Sequence, residues 1–457
     1  MKKLIGDKAF YLKVFKVAFP MMVQMSITNF VGLLDNLMVG QLGTEEMTGV
    51  AVVNQILFVF NLCVFGALSG AGIYGSQFYG KKDTAGLQYV MRFKLIASMI
   101  VTGLALVLLY FAAEPLVGLF LTEGSEGDVQ STLEYGKTYL FYMLFTLIPF
   151  AVKECYASSL KEVERTVLPM VGSGVAVIVN FALNYVLIFG KFGAPELGVT
   201  GAAIATLIAR FIELIIVASG AHLKKNNFFN GVYRSFYIPK ELIKGLLVKG
   251  FPLLLNETLW SGGIATLNQC YSMRGLQVMT AINMASTISN LFNVVFISMG
   301  SATAILVGQE LGAERYEGAK DTARKMTAFS VAICGVIGVL MALIAPGFTT
   351  FYNTSDSIRG LACVFIYVAA FIMPFDAFNQ AAYFILRSGG KTFITFLFDS
   401  LFFWYASIPV AQLLVRGTDF PIEAIYAICY GLNLLKCVVG FVLLKKGIWV
   451  QSIVKRQ

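Results

Sequence analysis

Apolar runs recur along the whole chain, each about 20 residues long, the length an α-helix needs to cross the hydrocarbon core of a bilayer. A transmembrane β-barrel would show roughly ten-residue segments of alternating polarity, and these runs do not alternate. They predict helices near 14–39, 46–78, 91–113, 130–151, 166–190 and 198–221. A second set is expected near 243–270, 278–309, 323–346, 358–385, 393–415 and 422–444. Of the 457 residues, 57% are hydrophobic and only 13% charged. Those charges are too few to cover the surface of soluble domains of this total length. The expected fold class is therefore all-α and integral to the membrane, with twelve transmembrane helices.

A net charge of +9 suits nucleic acid or a membrane, and the distribution favours the membrane. With the N-terminus inside, one side collects Lys2, Lys3, Lys81, Lys82, Arg92, Lys94, Lys161, Arg165, Lys224 and Lys225. Arg234, Lys240, Arg315, Lys320, Arg324, Lys325, Lys445, Lys446, Lys455 and Arg456 fall on the same side. The other side keeps Lys191, Arg274, Arg359 and Arg416, with the acidic Glu114, Glu123, Glu126 and Asp128. This asymmetry places both termini in the cytoplasm of a multi-pass protein, expected in the cell membrane. No small-residue cleavage site precedes the first apolar run, so no cleaved signal peptide is expected. The seven cysteines form no CxxC pair and read as small buried hydrophobes.

The two sets of helices share one plan. At an offset of 232 residues Phe19-Pro20 falls on Phe251-Pro252. Under the same shift Gly43, Thr48, Gln77, Gly80 and Gly86 fall on Gly275, Thr280, Gln309, Gly312 and Gly318. Further on, at an offset of 225, Tyr142, Pro149 and Phe150 meet Tyr367, Pro374 and Phe375. Punctuating residues that match over such a span mark a duplication. The expected organisation is a six-helix bundle over 1–221, a cytoplasmic linker over 222–242, and a second bundle over 243–457. A parallel repeat relates the bundles by a pseudo-two-fold axis along the membrane normal, with alternating access between them.

An ionisable group at the bilayer centre costs roughly 2.5–3.5 kcal/mol, so each one needs a reason. Glu257 follows Pro252 in the seventh expected helix, and Asp376 follows Pro374 in the tenth. Asn256, Asn379 and Gln380 flank them. Each proline removes a backbone donor and frees a carbonyl one turn back, which makes Pro20, Pro149, Pro252 and Pro374 candidate hinges. Carboxylates with amide and carbonyl oxygens suit a sodium ion or an exchangeable proton. The repeat places uncharged Met25 and Ala151 at the corresponding positions, so the helix plan does not itself demand these acids. The competing reading pairs either acid with a buried base such as Lys436. Asp35, whose repeat counterpart is Leu267, is the main acid of the first half and suits either a coupling role or an interfacial position. Asn180 and Asn184 share a helix face, as ligands or as interhelical glue. Arg210 and Glu213, three apart, read as a structural pair, and Asp399 has no partner legible in the sequence.

Gly389-Gly390-Lys391-Thr392 mimics the end of a phosphate loop, but Ile385 stands where its first glycine belongs, so no ATP site is expected. A single histidine, His222, leaves zinc or triad chemistry without its parts. The chain is not expected to be an enzyme, and no cofactor is expected beyond a transported ion.

The sequence resembles the multidrug and toxic compound extrusion (MATE) transporters, closer to their NorM-like than their DinF-like branch. The resemblance rests on Pro20 with Gln24, on Asp35 through Gly43, on Gln77 to Gly80, and on Asn180 through Tyr185. Gly201 to Thr206, Pro252 with Asn256-Glu257, Gly308 to Gly312, and Asp376 ahead of Arg387 extend it over essentially the whole chain. The resemblance implies antiport, in which sodium or proton entry drives export of cationic amphipathic drugs or metabolites. It implies coupling residues at Glu257, Asp376 and Asp35, with Gln24, Asn180, Asn184, Asn256, Asn379 and Gln380 supporting the ion or substrate. Sodium would sit at Glu257 and Asp376. The chain departs from the DinF-like pattern at Asn184, where that branch has an aspartate. It departs from some sodium-binding members at Ile372, where they have a tyrosine. A monomer is expected. The alternatives are a flippase for lipid-linked precursors, which would call for several cavity arginines, and a membrane scaffold without transport.

Overall fold

The computed structural model describes residues 4–118, 128–223 and 228–454. Lys2, Lys3, Glu123, Glu126, Lys224, Lys225, Lys455 and Arg456, used above to orient the chain, lie outside the described residues. The described chain is helical, with twelve long helices: α1 (Lys8–Val39), α2 (Thr44–Lys81), α3 (Thr84–Phe111), α4 (Val129–Glu162), α5 (Val167–Ile188) and α6 (Gly198–His222). The second six are α7 (Lys240–Ser272), α8 (Leu276–Gly312), α9 (Tyr316–Thr349), α10 (Asp356–Ser388), α11 (Thr392–Gly417) and α12 (Ile422–Lys445). Eleven are apolar enough to cross a membrane by length and composition. The exception is α7, whose 33 residues are long enough but include Asn256, Glu257, Asn268 and Gln269. Large apolar side chains stay exposed along the helices, among them Leu104, Ile178, Leu343 and Phe371. That is the surface lipid requires. Interior hydroxyls bond back to carbonyls four residues earlier, as Ser98, Thr102 and Thr303 do, so they enter the apolar interior satisfied.

Several helices outrun their apolar cores. The expected end of α4 was near 151, yet the helix continues to Glu162. Its last turns carry Lys153, Glu154, Lys161 and Glu162, and Glu162 is paired with the fully buried Lys94 of α3. An apolar-run criterion stops at the first cluster of charges, whereas the backbone continues wherever those charges find partners. Pro20, Pro149, Pro252 and Pro374 all lie inside continuous helices.

The chain forms two compact units. One holds residues 23–75 and 84–244. The other holds the residues from 245 onward, the start of α1 up to Met22, and the end of α2 over 76–83. Within this second unit the repeat partners meet each other. A Cβ on Gly80 would lie 1.9 Å from the carbonyl oxygen of Gln309, and a Cβ on Gly312 would lie 1.9 Å from that of Gln77. Only glycine permits this backbone crossing of α2 and α8. The Gln77 amide donates to the Ser388 carbonyl (2.9 Å), and its oxygen accepts from the Ile453 N–H (2.8 Å). The Gly389-Gly390 pair is the tight turn between α10 and α11. Gly390 has φ +72°, and Gly389 lies against the Trp449 backbone.

Candidate cation and substrate sites

In the unit of α7–α12, Glu257 and Asp376 occupy two neighbouring environments. Glu257 is half-buried on α7 and accepts a hydrogen bond from the Tyr383 hydroxyl of α10, with the Arg387 guanidinium close by. The adjacent Asn256 is 2% exposed and turns toward α11. Its amide donates to Asp399 (3.0 Å), and its oxygen accepts from the Ser400 hydroxyl (2.7 Å). Leu397–Leu401 and Phe403–Ser407 of α11 are π-helical turns, and the wider winding directs Asp399 and Ser400 at α7. Trp404 of the second turn donates to the Leu259 carbonyl (2.8 Å). Lys436 of α12 pairs with Asp399 at 2.5 Å. The base that sequence reasoning offered to Glu257 or Asp376 thus has its ion pair elsewhere.

Asp376 on α10 accepts from the Asn433 amide of α12 (2.9 Å). The Asn433 carbonyl in turn accepts from Asn379 (3.1 Å). Ser289, Asn293, Met341, Ala369, Met373 and Tyr430 join Asp376 around a cavity of about 80 Å³. The buried Asn379 Oδ1 has no hydrogen-bond partner among the described residues. In a closely packed interior such an oxygen calls for an explanation. Ile372, where the resemblance would have a tyrosine in some members, is 3% exposed, but Tyr430 reaches the Asp376 cavity from α12. Gln380, half-buried, packs beside Gly300 of α8.

In the other unit, Asn184 of α5 donates to Asp35 of α1 (2.6 Å) and to Asn180 Oδ1 (3.2 Å). Asn180 donates to the Thr206 hydroxyl of α6 (3.2 Å). Asn184 Oδ1 is buried without a hydrogen-bond partner among the described residues. Asp35 is half-buried and held across helices α1 and α5. Gln24 lies in a different network: it donates to Ser173 (3.1 Å), which donates to Glu213 (2.7 Å). Glu213 also accepts ion pairs from Arg210 (3.2 Å) and Lys153 (3.3 Å), and Lys153 pairs with Glu154 too. The Arg210–Glu213 pair is therefore half of a larger cluster. Sequence reasoning missed Lys153 because the expected fourth helix stopped short of it. It missed Asn433, Tyr383 and Tyr430 because a lone amide or phenol in an apolar run gives no signal of what it faces.

The Asp399–Lys436 pair lends itself to a direct test. Lys436→Met leaves a carboxylate uncompensated, which costs roughly 3–5 kcal/mol in a buried setting. We expect a lowered melting temperature in detergent for Lys436→Met, with part of the loss recovered in the Asp399→Asn/Lys436→Met double variant. Strict additivity of the two single effects would show that the pair carries no coupling energy.

Two units of membrane-length apolar helices define a multi-pass membrane protein. The chain belongs to the MatE family, which it matches over residues 20–186 and 252–411. It is 24% identical over 452 residues to the uncharacterized transporter YisQ of Bacillus subtilis, covering 98% of this chain and 96% of that one. With the probable multidrug resistance protein NorM of Thermotoga maritima it shares 23% identity over 403 residues, 88% of this chain and 85% of that one. A solved multidrug resistance MATE family transporter of the MOP superfamily, in an outward-facing conformation, superposes with a TM-score of 0.85. It is 19% identical and covers 98% of this chain and 97% of that one. The chain is accordingly a transporter rather than an enzyme, of the drug- and toxin-efflux kind, with small molecules as its substrates.

Proposed function

We propose that this protein is a secondary active antiporter of the cell membrane, acting as a monomer with both termini cytoplasmic. It exports amphipathic organic compounds that carry a positive charge, in exchange for sodium or protons. One observation supports this reading: Asp376 is held inside its unit by the neutral donor Asn433 at the edge of a cavity, while Lys436 is committed to Asp399; Glu257 lies nearby, bonded by Tyr383 with Arg387 beside it. A carboxylate so placed stays available to an ion that comes and goes. The Asp376 cavity, about 80 Å³, is large enough for a small cation with a water, whose share of liquid volume is about 30 Å³. Asp35 with Asn184 offers a second station of the same chemistry. Ion binding at these carboxylates favours one facing of the units and substrate binding the other, which couples the two fluxes. Pro20, Pro149, Pro252 and Pro374 are the positions we assign to the bending this requires.

The test is transport of a cationic dye by the purified protein in proteoliposomes, with sodium and pH gradients imposed separately. We expect one gradient to drive the dye against its own concentration difference and its ionophore to stop it. Absence of dye movement under both gradients would refute the antiporter reading.

A further inference from the structure

We propose that Lys249 and Lys391 form a binding site for the phosphate of an anionic phospholipid, at the head of the seam between α7 and α11. The two helices run side by side in one direction. Further along the seam Ser400 donates to Asn256 (2.7 Å) and the Trp404 indole to the Leu259 carbonyl (2.8 Å). At its start the Cε of Lys249 lies 3.7 Å from where a Cβ on Gly390 would stand. The stem of Lys249 therefore lies against the turn that presents Lys391. That turn is fixed from the chain's last described segment: Gln451 donates to the Gly389 carbonyl (2.8 Å), and Ile453 packs against Gly390.

Both lysines are half-buried, and they differ from the lysines of the interior. Lys94, Lys153 and Lys436 are ion-paired with Glu162, Glu154 and Asp399. Neither Lys249 nor Lys391 has a hydrogen bond or ion pair from its ammonium among the described residues, and Lys391 is the charged group whose field acts on Lys249. Two like charges held together beside an apolar surface repel each other. A phosphodiester between them replaces that repulsion with a charge-assisted hydrogen bond to each. The surface beyond the pair commits the anion to a lipid. Phe251 and Leu255 continue along α7, and Phe393 and Leu397 along α11, all exposed and apolar, so an acyl chain can cover them. The lysine stems lie along this surface and lift their ammonium groups to headgroup depth. Asn256 stands seven residues, about two helical turns, beyond Lys249, with Glu257 beside it. A bridging phosphate thus pins α7 to α11 at the end of α7 that leads to this acid.

Native mass spectrometry of the full chain in detergent, titrated with phosphatidylglycerol, phosphatidylcholine or sn-glycerol 3-phosphate, reads the site directly. Wild type is expected to retain one phosphatidylglycerol roughly tenfold or more tightly than phosphatidylcholine, and to retain no glycerol phosphate at the same concentration. Lys249→Gln/Lys391→Gln should weaken phosphatidylglycerol roughly thirtyfold, as the loss of two lysines beside an anionic headgroup implies, and leave phosphatidylcholine unchanged. Lys249→Arg/Lys391→Arg should keep most of the affinity. Lys13→Gln/Lys16→Gln removes the same charge from the exposed face of α1, which packs on α8 and α9, and should change nothing. Equal retention of the two lipids by wild type overturns the site, whether or not any variant folds. Unchanged phosphatidylglycerol binding in Lys249→Gln/Lys391→Gln overturns it, as does equal weakening in the α1 control, because diffuse basic charge then suffices. Glycerol phosphate bound as tightly as the lipid overturns the lipid assignment in favour of a soluble anion.

Discussion

Glu257→Gln or Asp376→Asn will reduce ion-driven export to background while the protein stays folded and in the membrane. Both changes are near-isosteric and remove only the charge. Asn433 can still donate to the amide oxygen at position 376, and Tyr383 to that at position 257. Lys436 keeps Asp399 in both variants, while Glu257→Gln takes a negative charge from beside the Arg387 guanidinium. Fold and packing should survive, because the side-chain volume and these hydrogen bonds are kept. What disappears is the group whose ionisation or ion binding couples the gradient to the cycle. The measurement is dye transport under an imposed gradient, with dye binding and melting temperature followed in parallel. Wild-type coupled transport in both variants would remove these acids from the mechanism.

The second large effect belongs to the α2–α8 crossing. A methyl at Gly80 or Gly312 would sit 1.9 Å from a main-chain carbonyl oxygen of the facing helix. Carbon and oxygen normally approach no closer than about 3.3 Å. The obstructing atom is backbone, so no side-chain rotation relieves the clash and the helices must part by more than an ångström. We expect Gly80→Ala or Gly312→Ala to cost roughly 1–3 kcal/mol or more, and to impair transport. Gly103 of α3, with nothing within 4 Å of its virtual Cβ, is the control. Alanine there should be neutral or stabilising by up to about 1 kcal/mol. An unchanged melting temperature and transport rate in Gly80→Ala would show that the crossing yields without cost.

The existence and order of the helices were legible because hydropathy is a local property and lipid enforces it on every span. Even α7, the least apolar, was marked by Pro252 and its place in the repeat. The repeat also picked out Gln77, Gly80, Gln309 and Gly312, though not that these partners touch each other. What sits inside the units was less legible. Asp35 and Asn184 lie 149 positions apart and Asp376 and Asn433 lie 57 apart, so each pairing depends on helix packing rather than on spacing. The π-helical turns of α11 were invisible to a 3.6-residue reading, and they rotate Asp399 toward Asn256 and Lys436.

One architectural detail bears on how such a chain can be divided. Since the start of α1 and the end of α2 belong to the unit built from residues 245 onward, a gene cut between residues 244 and 245 would leave that unit without two of its segments. The amino-terminal fragment would carry Val14, Val17 and Ala18 without Met299, Ala302 and Met326, the side chains that cover them. Fragments made separately should therefore be poorly soluble in detergent, and should regain transport only when synthesised together in one membrane.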